Sequence, residues 1–290
     1  MYTEHIDNSF ELIKKYIGEH ARPTAWISGG KDSMVLMHLL RAWRDRVSFV
    51  HARLDDAWPD VTTNLEQVAK SWDIKLHYAE PTVTFPKYVE KYGWPMDMVP
   101  STHEGGQAPF IHPWYKEGPR MASWLHCTAA RVITPLLAVT VSIQADLVIT
   151  GTRGDDAPMF RIMGEKVIAR TKKGWDRINP LQLWSDEQVY AYIDQYEISL
   201  PQYYEVKRAT GKEYEWVDCM SCTWQPTHWV MLKKYYPDQF AKRWPTVSPV
   251  YEAAYKAANV FAGSLDRMGM ELADIDYEQE NEEPSDGVSV

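Results

Sequence analysis

The stretch WISGGKDSMVLMHLL, residues 26–40, decides how this chain is read. Ser28, Gly29, Gly30, Lys31, Asp32 and Ser33 are too small or too charged to form a core. They stand between the apolar run TAWIS (24–28) and the helix-like run DSMVLMHLL (32–40). Two glycines let a backbone turn sharply and bring its N–H groups close to an anion. The helix that follows aims its partially positive N-terminus at the same point. Lys31 adds a full charge there, and Ser28 and Ser33 add hydroxyls. The GxxxxGK spacing of the other common phosphate loop is absent. The expectation is a cradle for the phosphates of a nucleotide, closed by Lys31 and Asp32.

Outward from this turn, VSFVHAR (47–53), IKLHYAE (74–80) and DLVITG (146–151) read as strands. Residues 6–20 read as an amphipathic helix, and 60–73 as a helix with Asp60 as N-cap after Pro59. A fourth helix spans 128–145 despite Pro135, and SDEQVYAYIDQYE forms a fifth, capped by Ser185 or Asp186. Residues 226–262 read as two or three helices. Alternation at this spacing predicts an α/β fold: a doubly wound, mostly parallel five-stranded sheet flanked by helices, with helices at the C-terminal end. The divisions expected are a nucleotide-binding α/β domain over 1–225, a helical extension over 226–270 and a disordered acidic tail over 271–290. Between Gly93 and Arg120 stand five prolines, four glycines and two histidines. This composition predicts a long lid-like loop over 93–120.

At 290 residues and 45% hydrophobic, the chain can bury a large core. Its 13 Trp and 17 Tyr suit both core packing and stacking on bases. The charge of −9 comes almost wholly from the tail, which holds eight carboxylates from Glu271 onward and no Lys or Arg. Net charge therefore neither indicates nor excludes a nucleic-acid partner. No apolar run of membrane-spanning length and no secretory signal is read, and three cysteines do not suit a disulfide framework. A cytoplasmic location is expected.

Three further groups carry chemistry. Asp55 and Asp56 follow the second strand, where one could hold Mg²⁺ or a ribose hydroxyl, or simply cap a helix. GTRGDDAPMFR (151–161) follows the fourth strand, so Gly151, Arg153, Asp156 and Arg161 could meet a phosphate, a sulfate or an adenylate. Cys219 and Cys222 form a CxxC turn, and Cys127 could add a third thiolate to one metal centre, or all three could be buried thiols.

The SGGKDS turn resembles the PP-loop of the ATP pyrophosphatases (the adenine nucleotide alpha hydrolase-like superfamily). Gly151 and Arg153, with Pro180, Leu181, Trp184, Val189 and Tyr192, look like the phosphoadenosine phosphosulfate (PAPS) reductase branch. The resemblance implies that Ser28 to Ser33 hold pyrophosphate, and that Lys31, Asp32, Arg153 and Arg161 serve cleavage of ATP at the α-phosphate. Cys127, Arg131, Pro135 and Leu136, with the distant CxxC, resemble the iron–sulfur members. They imply a [4Fe–4S] cluster on Cys127, Cys219 and Cys222, with Thr128 where a double cysteine would have its second. A fourth ligand would be a free iron site or a group such as His126 or His228, and Zn²⁺ in a Cys₃His site is the alternative. Reductases of this branch attack sulfur with a C-terminal cysteine, and none follows Cys222 here. That departure, with the complete loop and the WxxCT stretch at Trp124, Cys127 and Thr128, resembles the DNA phosphorothioation and tRNA thiolation enzymes. The function implied is adenylylation of a nucleic-acid or small-molecule acceptor for sulfur transfer, with ATP, Mg²⁺ and a sulfur-donor protein. The alternatives are a sulfite-releasing reductase and a nucleotide-binding subunit without turnover.

Overall fold

The computed structural model describes residues 2–96, 119–154, 168–170, 174–210 and 219–267. Helix α1 (Tyr2–Glu19) leads into β1 (Pro23–Trp26), α2 (Lys31–Leu40), β2 (Ser48–Ala52), α3 (Pro59–Ser71), β3 (Leu76–Ala79) and α4 (Phe85–Tyr92). After β4 (Trp94–Pro95) and β5 (Met121–Ala122) come α5 (Trp124–Thr128), a π-helical turn (Ala129–Ile133), α6 (Thr134–Ser142) and β6 (Leu147–Thr150). Then follow β7 (Ile168–Arg170), β8 (Asp176–Ile178), α7 (Asp186–Gln195), α8 (Gln202–Thr210), α9 (Pro226–Tyr235) and α10 (Pro237–Arg267).

The main sheet has the order β3-β2-β1-β6-β8-β7. Its first five strands are parallel, as the alternating pattern requires, and β7 adds an antiparallel edge strand beside β8. The chain order reverses between β1 and β6, which is where open α/β sheets bind ligands at the carboxyl ends of their strands. Both faces are covered. Phe49 packs into the large cluster with α1, α2 and α7, while its neighbour Val50 packs with Ala79 and Leu136 on the opposite face.

Several boundaries move. Asp60 is not the N-cap of α3; that position is Trp58, and Pro59 occupies the first turn, where its missing N–H costs nothing. The helix expected over 128–145 begins at Trp124, capped by the Ser123 hydroxyl, and widens into the π turn before Pro135. A proline ring collides with the carbonyl four residues earlier, and the wider turn relieves that collision. Trp124–Ser142 is, by length and composition, apolar enough to cross a membrane, although Arg131 is buried within it. β4, at the start of the 93–120 stretch, pairs in parallel with β5, which directly follows its end. Residues 97–118 of the stretch lie outside the described residues, as does the 271–290 tail.

Helices α9 and α10 bury Trp229, Met231, Leu232 and Val247 against Trp58 and Met220. Farther along α10, Val250 and Ala254 cover Met96 and Met121 at the small sheet. The helical extension thus packs onto the β2–α3 connection.

Candidate functional site

The turn after β1 takes the shape its residues allow. Gly29 has φ +90°, and a Cβ there would lie 2.8 Å from Val61 Cγ1. Gly30 is extended and precedes α2 without any side-chain cap. The N-terminus of α2 is therefore not blocked by its own N-cap. Hydroxyls meet the loop amides instead. Gly29 N–H donates to Ser33 Oγ (2.9 Å), Gly30 N–H to Ser28 Oγ (3.2 Å) and Lys31 N–H to the hydroxyl oxygen of Tyr204 (2.9 Å).

The exit of β6 closes on this turn. A Cβ on Gly151 would lie 3.1 Å from the Asp32 backbone, which accounts for glycine at that position. Two residues later, buried Arg153 sets Nε 2.7 Å from Asp32 Oδ1, Nη2 against Asp186 Oδ1 and Nη1 on the Trp184 carbonyl. Lys31 Nζ lies 2.8 Å from Asp32 Oδ2 and 3.1 Å from Asp186 Oδ1. Two buried cations are thus held at the mouth of α2 by two half-exposed carboxylates.

Asp186 is a site residue whose place at the loop sequence reasoning missed. It opens α7 directly after Ser185, whose hydroxyl and Gln188 form a capping box. As sequence it reads only as a helix-start acid, and the fold is what carries it to Lys31. The Pro-Leu-x-x-Trp segment explains how. The Pro180 carbonyl accepts from Ser9, Trp184 Nε1 donates to the same hydroxyl, and the Gln182 carbonyl accepts from Gly154 N–H. These bonds fix the segment that carries the Trp184 carbonyl and Asp186. Val189 and Tyr192 face the core, with the Tyr192 hydroxyl 2.8 Å from His38 Nδ1. Arg161 and Asp156 lie outside the described residues.

Asp55 and Asp56 turn away from the glycine loop toward the cysteines. Asp55 accepts from Phe85 N–H and from Arg131. Asp56 accepts from Ser221 N–H (2.9 Å) within the CxxC turn and faces Arg243, and burial raises its carboxyl above the usual range. Cys219 pairs through its backbone with Ala57, and Cys222 N–H donates to the Cys219 carbonyl. Arg131, 1% exposed, sets Nη1 3.8 Å from Cys219 Sγ, and its charge also acts on the Cys127 thiol. Burial pushes the Cys127 thiol up to about 11, against the pull of that guanidinium. Trp124 and Trp224 stack at 4.3 Å and bring the start of α5 against the CxxC turn.

The arrangement therefore sets one guanidinium on Cys219 and within electrostatic reach of Cys127, with Cys222 on the Cys219 turn. Among the described residues, no three His, Cys, Asp or Glu side chains converge on a point that one metal ion could occupy. His126 Nδ1 lies 2.7 Å from the Tyr88 hydroxyl, and His228, neutral and buried, sets Nε2 3.0 Å from the Met220 carbonyl.

A parallel sheet with a glycine turn and two cations at its switch point defines a nucleotide-phosphate-binding α/β protein. Residues 22–225 match the phosphoadenosine phosphosulfate reductase domain, and the chain belongs to that family. No curated protein matches it in sequence. The solved PAPS reductase of Candida auris, a phosphate complex, is similar in fold: TM-score 0.51 and 17% identity, over 74% of this chain and 94% of that one. The U34-tRNA thiolase NcsA of Methanococcus maripaludis, with its [4Fe-4S] cluster, aligns at TM-score 0.42 and 15% identity, over 90% and 80%. The FMN adenylyltransferase of Candida glabrata with FMN and AMPCPP aligns at 0.44 and 14%, over 70% and 60%.

Proposed function

We propose that the chain binds ATP or a closely related adenine nucleotide and cleaves it at the α-phosphate, adenylylating a substrate oxygen that sulfur then replaces. One observation carries the reading: Lys31 and Arg153 are buried together at the mouth of α2, countered by Asp32 and Asp186. A triphosphate can take over the two cations, which frees a carboxylate for Mg²⁺. The substrate oxygen then bonds to the α-phosphorus, the bond to the bridging oxygen breaks, and pyrophosphate leaves. Lys31 and Arg153 neutralise the charge that gathers on the leaving group, while Ser28, Gly29, Gly30, Ser33 and Gly151 shape its bed.

Cys127, Cys219 and Cys222 would hold a [4Fe–4S] cluster, which supplies iron able to carry sulfur. In support, Arg131 hydrogen-bonds Cys219 and acts electrostatically on Cys127, and a guanidinium there offsets thiolate charge. A cluster spreads its thiolates over separate irons, whereas zinc needs four donors about 2.3 Å or less from one point. The acceptor class is a nucleic acid or a small molecule, with sulfur delivered by a donor protein. The family match favours one other reading, a reductase that releases sulfite from PAPS.

The test uses anaerobically prepared protein with its iron, sulfide and zinc quantified. With ATP, Mg²⁺ and DNA or tRNA it should release pyrophosphate, and Lys31→Ala or Arg153→Ala should lower the rate by about a hundredfold or more. Sulfite from PAPS with thioredoxin, without pyrophosphate from ATP, would establish the reductase instead. Tight ATP binding without any turnover would make the chain a nucleotide-binding subunit.

A further inference from the structure

The Lys31 amide is the first N–H of α2, and it is held by a residue 173 positions away, Tyr204 of α8. The same hydroxyl lies 3.0 Å from the place a Cβ would take on Gly30. Burial and the Asp32 carboxylate raise the phenol above its ordinary range, so it stays protonated and uncharged. A neutral oxygen thus rests where an anion would gain most from the amides and the helix end.

Tyr204 is anchored from behind. Burial raises the Asp60 carboxyl above its ordinary range, against the pull of the Gln202 and Tyr203 amides at the start of α8. Asn64 Nδ2 donates to the Ser199 carbonyl at 3.0 Å, and Ser199 Oγ donates to Asn64 Oδ1 at 2.6 Å. Both Asp60 and Asn64 belong to α3, whose Val61 packs on Gly29. The helix is therefore tied to the element that supports the loop. Beside Tyr204 lies a cavity of about 360 Å³, lined also by Ile193, Ile198, Leu200 and Arg208. That is roughly a dozen waters by volume, enough to receive a phenol ring.

We infer that Tyr204 is a gate on the phosphate cradle: its hydroxyl holds the place of a phosphate oxygen, and the ring swings into the adjoining cavity when a polyphosphate enters. The inference rests on the cradle reading above and adds its regulation. Only the fraction of molecules with the ring withdrawn accepts ligand, so the apparent affinity is reduced by that fraction.

Calorimetric titration with magnesium pyrophosphate, and separately with ATP, tests the gate on three proteins of verified fold and melting temperature. Tyr204→Phe removes the hydrogen bond that competes with the ligand and should bind about three- to tenfold more tightly than wild type. Leu200→Trp fills the cavity that receives the ring and should bind more weakly. If Tyr204→Phe binds more weakly than wild type, the hydroxyl assists the phosphate, and the gate is wrong. Equal affinity in all three proteins also overturns it. If none binds either ligand, the cradle reading itself has failed.

Discussion

A Cβ on Gly29 meets two obstacles at once, a φ of +90° and the Val61 methyl at 2.8 Å. The first is a property of the backbone and the second of a neighbour, so they separate by experiment. Gly29→Ala should lower stability by about 1–3 kcal/mol in urea unfolding. Adding Val61→Ala should return the steric part and leave the backbone part. A full return would show that the turn relaxes to negative φ. At this scale the sequence was a good guide where chemistry is local. The glycine pair, Lys31 and Asp32 follow directly from strand, turn and helix, and Ser185 is recognisable as a cap. It was silent where two distant segments meet. Nothing in SDEQ says that its aspartate reaches Lys31, and nothing in PQYYE says that Tyr204 reaches the loop.

Among elements, the π turn at Ala129–Ile133 has the largest local effect. It admits Pro135 into a continuous helical run and carries the buried Arg131 guanidinium that touches Asp55 and Cys219. Asp55 keeps 32% of its side chain exposed, so water can partly replace the arginine if it is lost. Arg131→Met should therefore cost about 1–3 kcal/mol, below the range for a wholly buried pair. A double-mutant cycle with Asp55→Asn should show coupling of about 0.5–3 kcal/mol. Additivity within experimental error would mean that the contact contributes nothing to stability. The periodicity of 128–145 announces a helix but not its widened turn, because apolar spacing responds to packing and not to hydrogen-bond register. The short strands β7 and β8 escaped for a related reason: three residues are too few to show alternation.

On the scale of the whole molecule, Trp58 is the joint. It is buried between Tyr203, His228 and Tyr236, with ring centroids 6.2, 5.6 and 5.2 Å away. One side chain from the β2–α3 connection therefore packs against α8, α9 and the residue between α9 and α10. Trp58→Ala should lower stability by about 3–5 kcal/mol. Circular dichroism and tryptophan fluorescence should still report one shared transition in the parent protein, and their midpoints should separate in the variant if the C-terminal helices detach first. Coincident midpoints in the variant would show that the helices are held mainly elsewhere. The parallel sheet was legible from alternating strands and helices, because crossover connections leave few other arrangements. The way α9 and α10 lie on the sheet domain was not, since amphipathic helices do not name the surface they cover.

The four charges at the mouth of α2 sum to zero, two cations against two carboxylates. Such a quartet exerts little pull beyond a Debye length, so stray anions are not drawn in from bulk solution. Capture would then proceed by exchange at contact. A ligand that arrives with its own divalent counter-ion trades partners one for one, whereas a bare anion leaves two acids stranded.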